Sequence, residues 1–259
     1  MKPMNSITKS LKHGYILIGL LLWSSFTFGQ NSEPKKILFV GNSFTYFFNL
    51  PQVVSAMAES QGIKLITRQS TVGGSNLEQH WKEEKGTITR KLLKNQQWDY
   101  VVFNNHSLSA IDNPESFHEY GKKFAELVKS LGAKPIFMMT WAYKSNPLMQ
   151  DEITKQYDKL AKDSDSDFVA CGPMFEIARS TRPNLELFHD DKHPSSNGTY
   201  LLALGFFKYF TGSETSEIPK RLTTKDIDGE KLYLIFMDQE DADFLQQLVD
   251  DFEFISPVN

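Results

Sequence analysis

The sequence predicts an α/β protein, a three-layer α/β/α sandwich around a five-stranded parallel sheet, and three observations carry that prediction. Short apolar runs recur at strand length, stretches of helical periodicity separate them, and glycine, asparagine and serine cluster where the runs end. Parallel neighbours need a crossover, which is a right-handed helical one almost without exception, so regular alternation of the two patterns reads as a parallel sheet.

The elements follow in order. Lys36 to Gly41 (KILFVG) is an apolar run that ends in glycine, as a buried first strand should. Leu50, Val53, Val54 and Met57 recur at helical spacing before Gly62, which predicts a crossover helix over Leu50 to Gln61. Ile63 to Thr67 reads as the second strand, Tyr100 to Asn104 as the third and Pro135 to Thr140 as the fourth, with Ser116 to Leu131 the clearest intervening helix. A short fifth strand near Asp167 to Ala170 precedes a loop-rich stretch to Pro194. Helices are predicted over Ser195 to Phe210 and Glu240 to Phe252, with a polar, irregular connection over residues 213 to 232. There is no internal repeat, and residues 31–259 read as one domain.

Before that domain, residues 1–30 have the three parts of an export signal. Lys2, Lys9, Lys12 and His13 form a basic region, Tyr15 to Trp23 an apolar run, and Ser24, Ser25 and Gly29 a small and polar stretch that places cleavage near Gln30. The apolar run is shorter than the roughly 20 residues that span a bilayer, although an uncleaved anchor is the other reading of the segment. Cys171, the only cysteine, lies far from the cleavage point and offers neither a lipid attachment site there nor an internal disulfide. A soluble, exported protein is the expectation.

A net charge of −4, a pI near 5.9 and the absence of any long Lys/Arg run argue against nucleic acid as a partner. At 40% hydrophobic and 13% aromatic, with 20 Phe, the chain has aromatic residues enough for a core and a binding surface.

The strand ends carry unusual polar residues: Gly41-Asn42-Ser43, Val72-Gly73-Gly74-Ser75 and Asn104-Asn105-His106-Ser107. Ligands of open α/β sheets bind beyond the carboxyl ends of the strands, so these turns should share one crevice. His189-Asp190-Asp191-Lys192-His193-Pro194 reaches it from the C-terminal side. Serine needs an adjacent base to act as a nucleophile, and that base works best with a carboxylate holding its tautomer. Ser43, His193 and Asp190 supply those three groups. An acyl-transfer oxyanion also needs donors, for which the Ser43 N–H, the N–H of Gly73 or Gly74 and an Asn amide are available.

GNSFT after the first strand, the glycine turn after the second, the Asn turn after the third and DxxHP near the C-terminus resemble the SGNH hydrolases, in matching order across most of the mature chain. The resemblance implies the flavodoxin-like strand order 2-1-3-4-5, no metal or other cofactor, and hydrolysis of esters, commonly acyl groups on carbohydrate. Carried over by position, Ser43 is the nucleophile, Asp190 and His193 are the acid and base, and Gly74 or Gly73 is an oxyanion donor. The family often has Gly-x-Asn-Asp at the third turn, and this departure leaves Asn104, the favoured residue, Asn105 or a group farther along the loop as the donor. Asn42 stands where the older Gly-Asp-Ser form has Asp.

Plainer readings exist for each feature. A G-N-S turn is often a helix N-cap, Asp190 and His193 suit the head of a helix, and His189, Asp190, Asp191 and His193 include metal-ligand types without a distant fourth partner. Phe47, Phe48, Trp81, Trp141 and Tyr143 read either as a sugar platform or as packing, and His106 as a substrate contact. Asn105-His106-Ser107 and Asn197-Gly198-Thr199 match a glycosylation sequon but fall within the site region or its helix. The reading is a serine esterase acting on acetyl or other acyl groups of a carbohydrate or small ester. A lipid or thioester hydrolase and a non-catalytic carbohydrate-binding protein on the same fold are the alternatives, and the residues leave the oligomeric state open.

Overall fold

The computed structural model describes residues 33–253, so the export signal read over residues 1–30 lies outside the described residues. In chain order the elements of the sheet and its crossovers are β1 (Lys35–Gly41), α1 (Ser43–Tyr46), α2 (Leu50–Ser60), β2 (Leu65–Thr71), α3 (Leu77–Lys82), α4 (Thr89–Asn95), β3 (Tyr100–Phe103), α5 (Ser109–Asp112), α6 (Pro114–Ser130), β4 (Lys134–Met138), α7 (Gln150–Ser164) and β5 (Asp167–Val169). There follow α8 (Cys171–Thr181), α9 (Ser196–Thr211), the strands β6 (Arg221–Lys225) and β7 (Lys231–Phe236), and α10 (Gln239–Asp251).

The sheet is all parallel in the order β2-β1-β3-β4-β5, as the resemblance implied. β1 pairs with β2 from Lys35↔Leu65 to Gly41↔Thr71 and with β3 from Ile37↔Tyr100 to Val40↔Phe103. Successive side chains of a strand point to opposite faces, so the continuous apolar run of β1 feeds two cores. Ile37 and Phe39 join residues of α2, α8, α9 and α10 on one side, while Leu38 and Val40 join those of α6 and α7 on the other. α9 is buried from Gly198 through Phe207, which explains why it is apolar around its whole circumference.

Three expectations need correction. β2 begins and ends later than Ile63 to Thr67, because it is an edge strand whose second half, Arg68-Gln69-Ser70, is polar and was not recognisable as an apolar run. The stretch after β5 is not loop throughout: Cys171–Thr181 is helical, since Pro173 falls in the first turn, where its missing N–H costs nothing. Residues 213–232 are not wholly irregular, because β6 and β7 form an antiparallel hairpin whose inward residues Leu222 and Ile235 are buried. Among the described residues no helix is long and apolar enough to cross a membrane.

Candidate active site

Three strand ends meet where β1 stops, and Gly41 permits it. A Cβ there would lie 2.8 Å from both the Asn104 Cβ and the Thr45 Oγ1, so only glycine lets the ends of β1 and β3 approach this closely. Asn42 then caps α1 by accepting the Phe44 N–H at 3.0 Å, and its own amide donates to the carbonyls of Ser75 (2.9 Å) and Asn105 (3.1 Å). One buried side chain thus ties together the turns after β1, β2 and β3. Its structural role also explains the Asn at this position.

Beneath this junction is a histidine that sequence reasoning missed. His80 of α3 is fully buried, with Nε2 3.0 Å from the Gly41 carbonyl and 2.9 Å from the Ser75 Oγ, and Nδ1 2.6 Å from the Thr89 Oγ1. Nε2–H donating to Gly41 and Nδ1 accepting from the Thr89 hydroxyl is the neutral assignment that satisfies these contacts. Burial lowers its pKa to about 4, with the Gly41 carbonyl opposing part of the shift. The signal available in the sequence was the Asn76–Gln79 capping box, which fixes α3 and therefore the face that carries His80.

Ser43 is the first residue of α1, so its N–H has no acceptor within that helix. Its Oγ lies 2.8 Å from Nε2 of His193, whose Nδ1 lies 2.7 Å from Oδ2 of Asp190. The other Asp190 oxygen accepts the N–H groups of Lys192 and His193, each at 2.8 Å. Desolvation pushes the Asp190 carboxyl up, but the N–H and ring of His193 and the N–H of Lys192 outweigh it and hold the group well below the usual carboxylate range. A serine hydroxyl, an imidazole and a permanent carboxylate are therefore hydrogen-bonded in series.

The turn carrying Asp190 and His193 is held from both ends. The His189 N–H donates to the His193 carbonyl at 2.8 Å, and the Trp141 indole donates to the Lys192 carbonyl at 2.8 Å. Asp191 faces another way: its oxygens accept the N–H and hydroxyl of Ser145, each at 2.8 Å. No group of three metal-ligating side chains is gathered among the described residues.

The remaining sequence-predicted residues divide. Gly74 has φ +64°, and neither its N–H nor that of Gly73 donates to a carbonyl within the described turns. The Asn104 amide donates one hydrogen to the Asn105 carbonyl at 3.0 Å and its Oδ1 accepts from the Thr45 hydroxyl at 3.3 Å, so one of the two hydrogens of the favoured side-chain donor is already engaged. Asn105 is the reverse: its Oδ1 accepts the N–H groups of Leu77 (3.1 Å) and His106 (2.9 Å), while its Nδ2 has no acceptor among the described residues. Phe47 stacks on the His193 ring, and Phe48 is 39% exposed beside it. Tyr143 bonds the Ser107 hydroxyl at 2.8 Å, and half-buried His106 has its pKa lowered by desolvation and then by the Lys192 charge.

Two aromatic expectations are corrected. Trp141 is fully buried, stacked between Phe44 (4.5 Å) and Phe175 (4.6 Å), and presents no face to a ligand. Trp81 packs edge-on against Phe124 at 5.1 Å, with the charges of Arg90 and Lys123 over its ring, so it belongs to the core contact between α3 and α6.

No family model matches the sequence, and no curated protein matches it. Solved structures do. A protein of Slackia heliotrinireducens assigned to the SGNH hydrolases is 24% identical over 68% of this chain and 99% of its own, with a TM-score of 0.59. A DUF4886 family protein of Bacteroides uniformis is 21% identical over 85% of this chain and 94% of its own, at 0.66. The acetylxylan esterase Axe2 of Geobacillus stearothermophilus is 16% identical over 68% of this chain and 94% of its own, at 0.57. Likeness at these identities is a likeness of fold, and the fold of this chain is that of the SGNH hydrolases.

Proposed function

We propose that the chain is a serine hydrolase of carboxylic esters, with Ser43 as nucleophile, His193 as base and Asp190 as the carboxylate that orients it. The observation that carries this reading is the hydrogen-bonded series Ser43–His193–Asp190, with its 2.8 and 2.7 Å links. The Ser43 Oγ attacks the ester carbonyl as its proton passes to Nε2, and the carbonyl electron pair moves onto oxygen. Collapse expels the alcohol, which takes that proton. Water then gives a proton to Nε2 as it attacks the acyl-serine, and a second collapse releases the acid and returns the proton to Ser43. The cycle uses no metal or other cofactor.

For the oxyanion we assign the N–H of Ser43, the N–H of Gly74 and the Nδ2 of Asn105. These donors belong to the three turns that Asn42 ties together, and each lacks an acceptor in the contacts above. Each such donor contributes about 3 to 4 kcal/mol to lowering the barrier. The substrate we assign is an acetyl or other short acyl ester on carbohydrate. Acetylxylan esterases among the solved structures of this fold support that choice, and the export signal read over residues 1–30 suits a polymer met outside the cell.

The test is hydrolysis of a chromogenic acetyl ester by the wild type, with and without a chelator, beside Ser43→Ala. Chelator-resistant turnover that falls at least about a thousandfold in the variant is expected. Turnover that survives in Ser43→Ala, or is lost on chelation, would end the serine reading.

A further inference from the structure

The hairpin absent from the sequence-based reading carries a surface that the hydrolytic centre does not use. Its register is Arg221↔Phe236, Leu222↔Ile235 and Thr223↔Tyr233, so Leu234 is an extra residue in β7. Tyr233 and Phe236 are three positions apart and would face opposite ways on a regular strand. The bulge returns Tyr233 to the face of Phe236, and both rings stand in solvent, 60% and 66% exposed. The Arg221 guanidinium sits 4.9 Å from the Tyr233 ring and 5.4 Å from that of Phe236, and the Lys231 ammonium is 5.4 Å from Tyr233.

The charges on this face work against the hairpin. Lys225 lies directly opposite Lys231, a pairing that destabilises a ladder. None of Arg221, Lys225 and Lys231 has a carboxylate partner among the described residues. Of the acids in the turn between the strands, Asp226, Asp228 and Glu230, Asp226 accepts the N–H groups of the other two on Oδ1, and none of the three forms an ion pair with Arg221, Lys225 or Lys231. Three unpaired cations beside two exposed rings, on a chain of net charge −4, form a local feature aimed at an anion. β7 also packs against the Phe47–Asn49 turn, whose Phe47 stacks on His193.

We propose that the outer face of the β6–β7 hairpin binds an anionic, carboxylate-bearing polysaccharide and leads its acyl groups to Ser43. The two rings take the C–H faces of sugar units, and Arg221, Lys225 and Lys231 take the carboxylates. The delivery of acyl groups rests on the ester-hydrolase reading above, whereas the binding does not.

The test is binding of the full chain to polygalacturonate, to a neutral glucan and to phosphatidylglycerol vesicles, read by calorimetry and repeated across salt concentrations. Salt-sensitive binding to polygalacturonate, and little to the glucan, is expected. Arg221→Gln combined with Lys231→Gln should weaken it at least tenfold, as should Tyr233→Ala with Phe236→Ala. Both double variants should hydrolyse a small acetyl ester at the wild-type rate, which also shows that they are folded. Ser43→Ala should bind the polymer normally. Equal affinity for the glucan, preference for the vesicles, unchanged binding in the variants, or a dimer that the aromatic variant disperses would each overturn the proposal. Small-ester turnover without polymer binding would refute this inference alone, and polymer binding without any turnover would refute only the hydrolase reading.

Discussion

The ring of Phe47 lies face to face with the imidazole of His193, their centroids 4.3 Å apart and their planes 10° from parallel. Phe44 meets the same imidazole edge-on at 5.6 Å and stacks in turn on Trp141. The ring that bonds Ser43 is therefore clamped on a face by one aromatic residue and against an edge by another. Phe47 reaches this place through a costly turn, since Phe48 and Asn49 have φ of 47° and 54°, a region that disfavours a bulky residue by roughly 1 to 2 kcal/mol.

Removing the stack with Phe47→Ala is expected to lower kcat by about two- to tenfold, from the roughly 0.5 to 1.5 kcal/mol that such aromatic pairs contribute. KM for a small acetyl ester should change little, and Phe47→Tyr should stay close to the wild type. A variant that changed KM alone would show that Phe47 touches substrate rather than holding the base.

Asn42 gives a sharper contrast. Asn42→Asp keeps the acceptor for Phe44 but replaces an amide that donates to two buried carbonyls with a second oxygen. The Ser75 carbonyl then loses its side-chain donor, at a cost of about 1 to 3 kcal/mol, while the Asn105 carbonyl keeps the Asn104 amide, so the variant should unfold at lower denaturant. Stability equal to the wild type would mean that the three turns are held by other contacts.

How far the sequence could be read follows from what each residue displays. The central strands were legible because a strand buried on both faces is an uninterrupted apolar run, and Ser43, Asp190 and His193 because their neighbours form turns of recognisable pattern. The hairpin was not, since only Leu222 of the segment Arg221–Lys225 faces inward and is buried, which leaves no apolar alternation to count. Trp141 and Trp81 could not be sorted from Phe47 by sequence, because an aromatic residue near a strand end serves a core and a cleft equally well. Asn104 and Asn105 are adjacent and chemically identical. Only their partners distinguish them.

His80 makes stability depend on pH. Its pKa of about 4 when folded lies below the ordinary 6.5, so above pH 6.5 the ring is neutral in both states and nothing is lost. As pH falls from 6.5 toward 4 the unfolded chain takes up a proton that the folded chain refuses, and stability declines by roughly 3 kcal/mol in all. Denaturant unfolding between pH 7 and 4 should show this slope, and His80→Gln should flatten it. Asp190, also depressed, acts in the same direction but only below its ordinary value of 3.8, so its loss falls in a lower window.

The assignment of the oxyanion donor is tested by substitutions that keep shape. Asn105→Asp retains the oxygen that accepts from Leu77 and His106 and removes the unpaired Nδ2 donor, so kcat should fall about a hundredfold to a thousandfold with KM nearly unchanged. Asn104→Ala removes the contacts to Thr45 and to the Asn105 carbonyl, which should cost about 1 to 3 kcal/mol of stability and much less activity. The opposite pattern, a large kcat loss at Asn104 and none at Asn105, would return the donor to Asn104. The donor would then be the second Nδ2 hydrogen of Asn104, the one that the Asn105 carbonyl does not take.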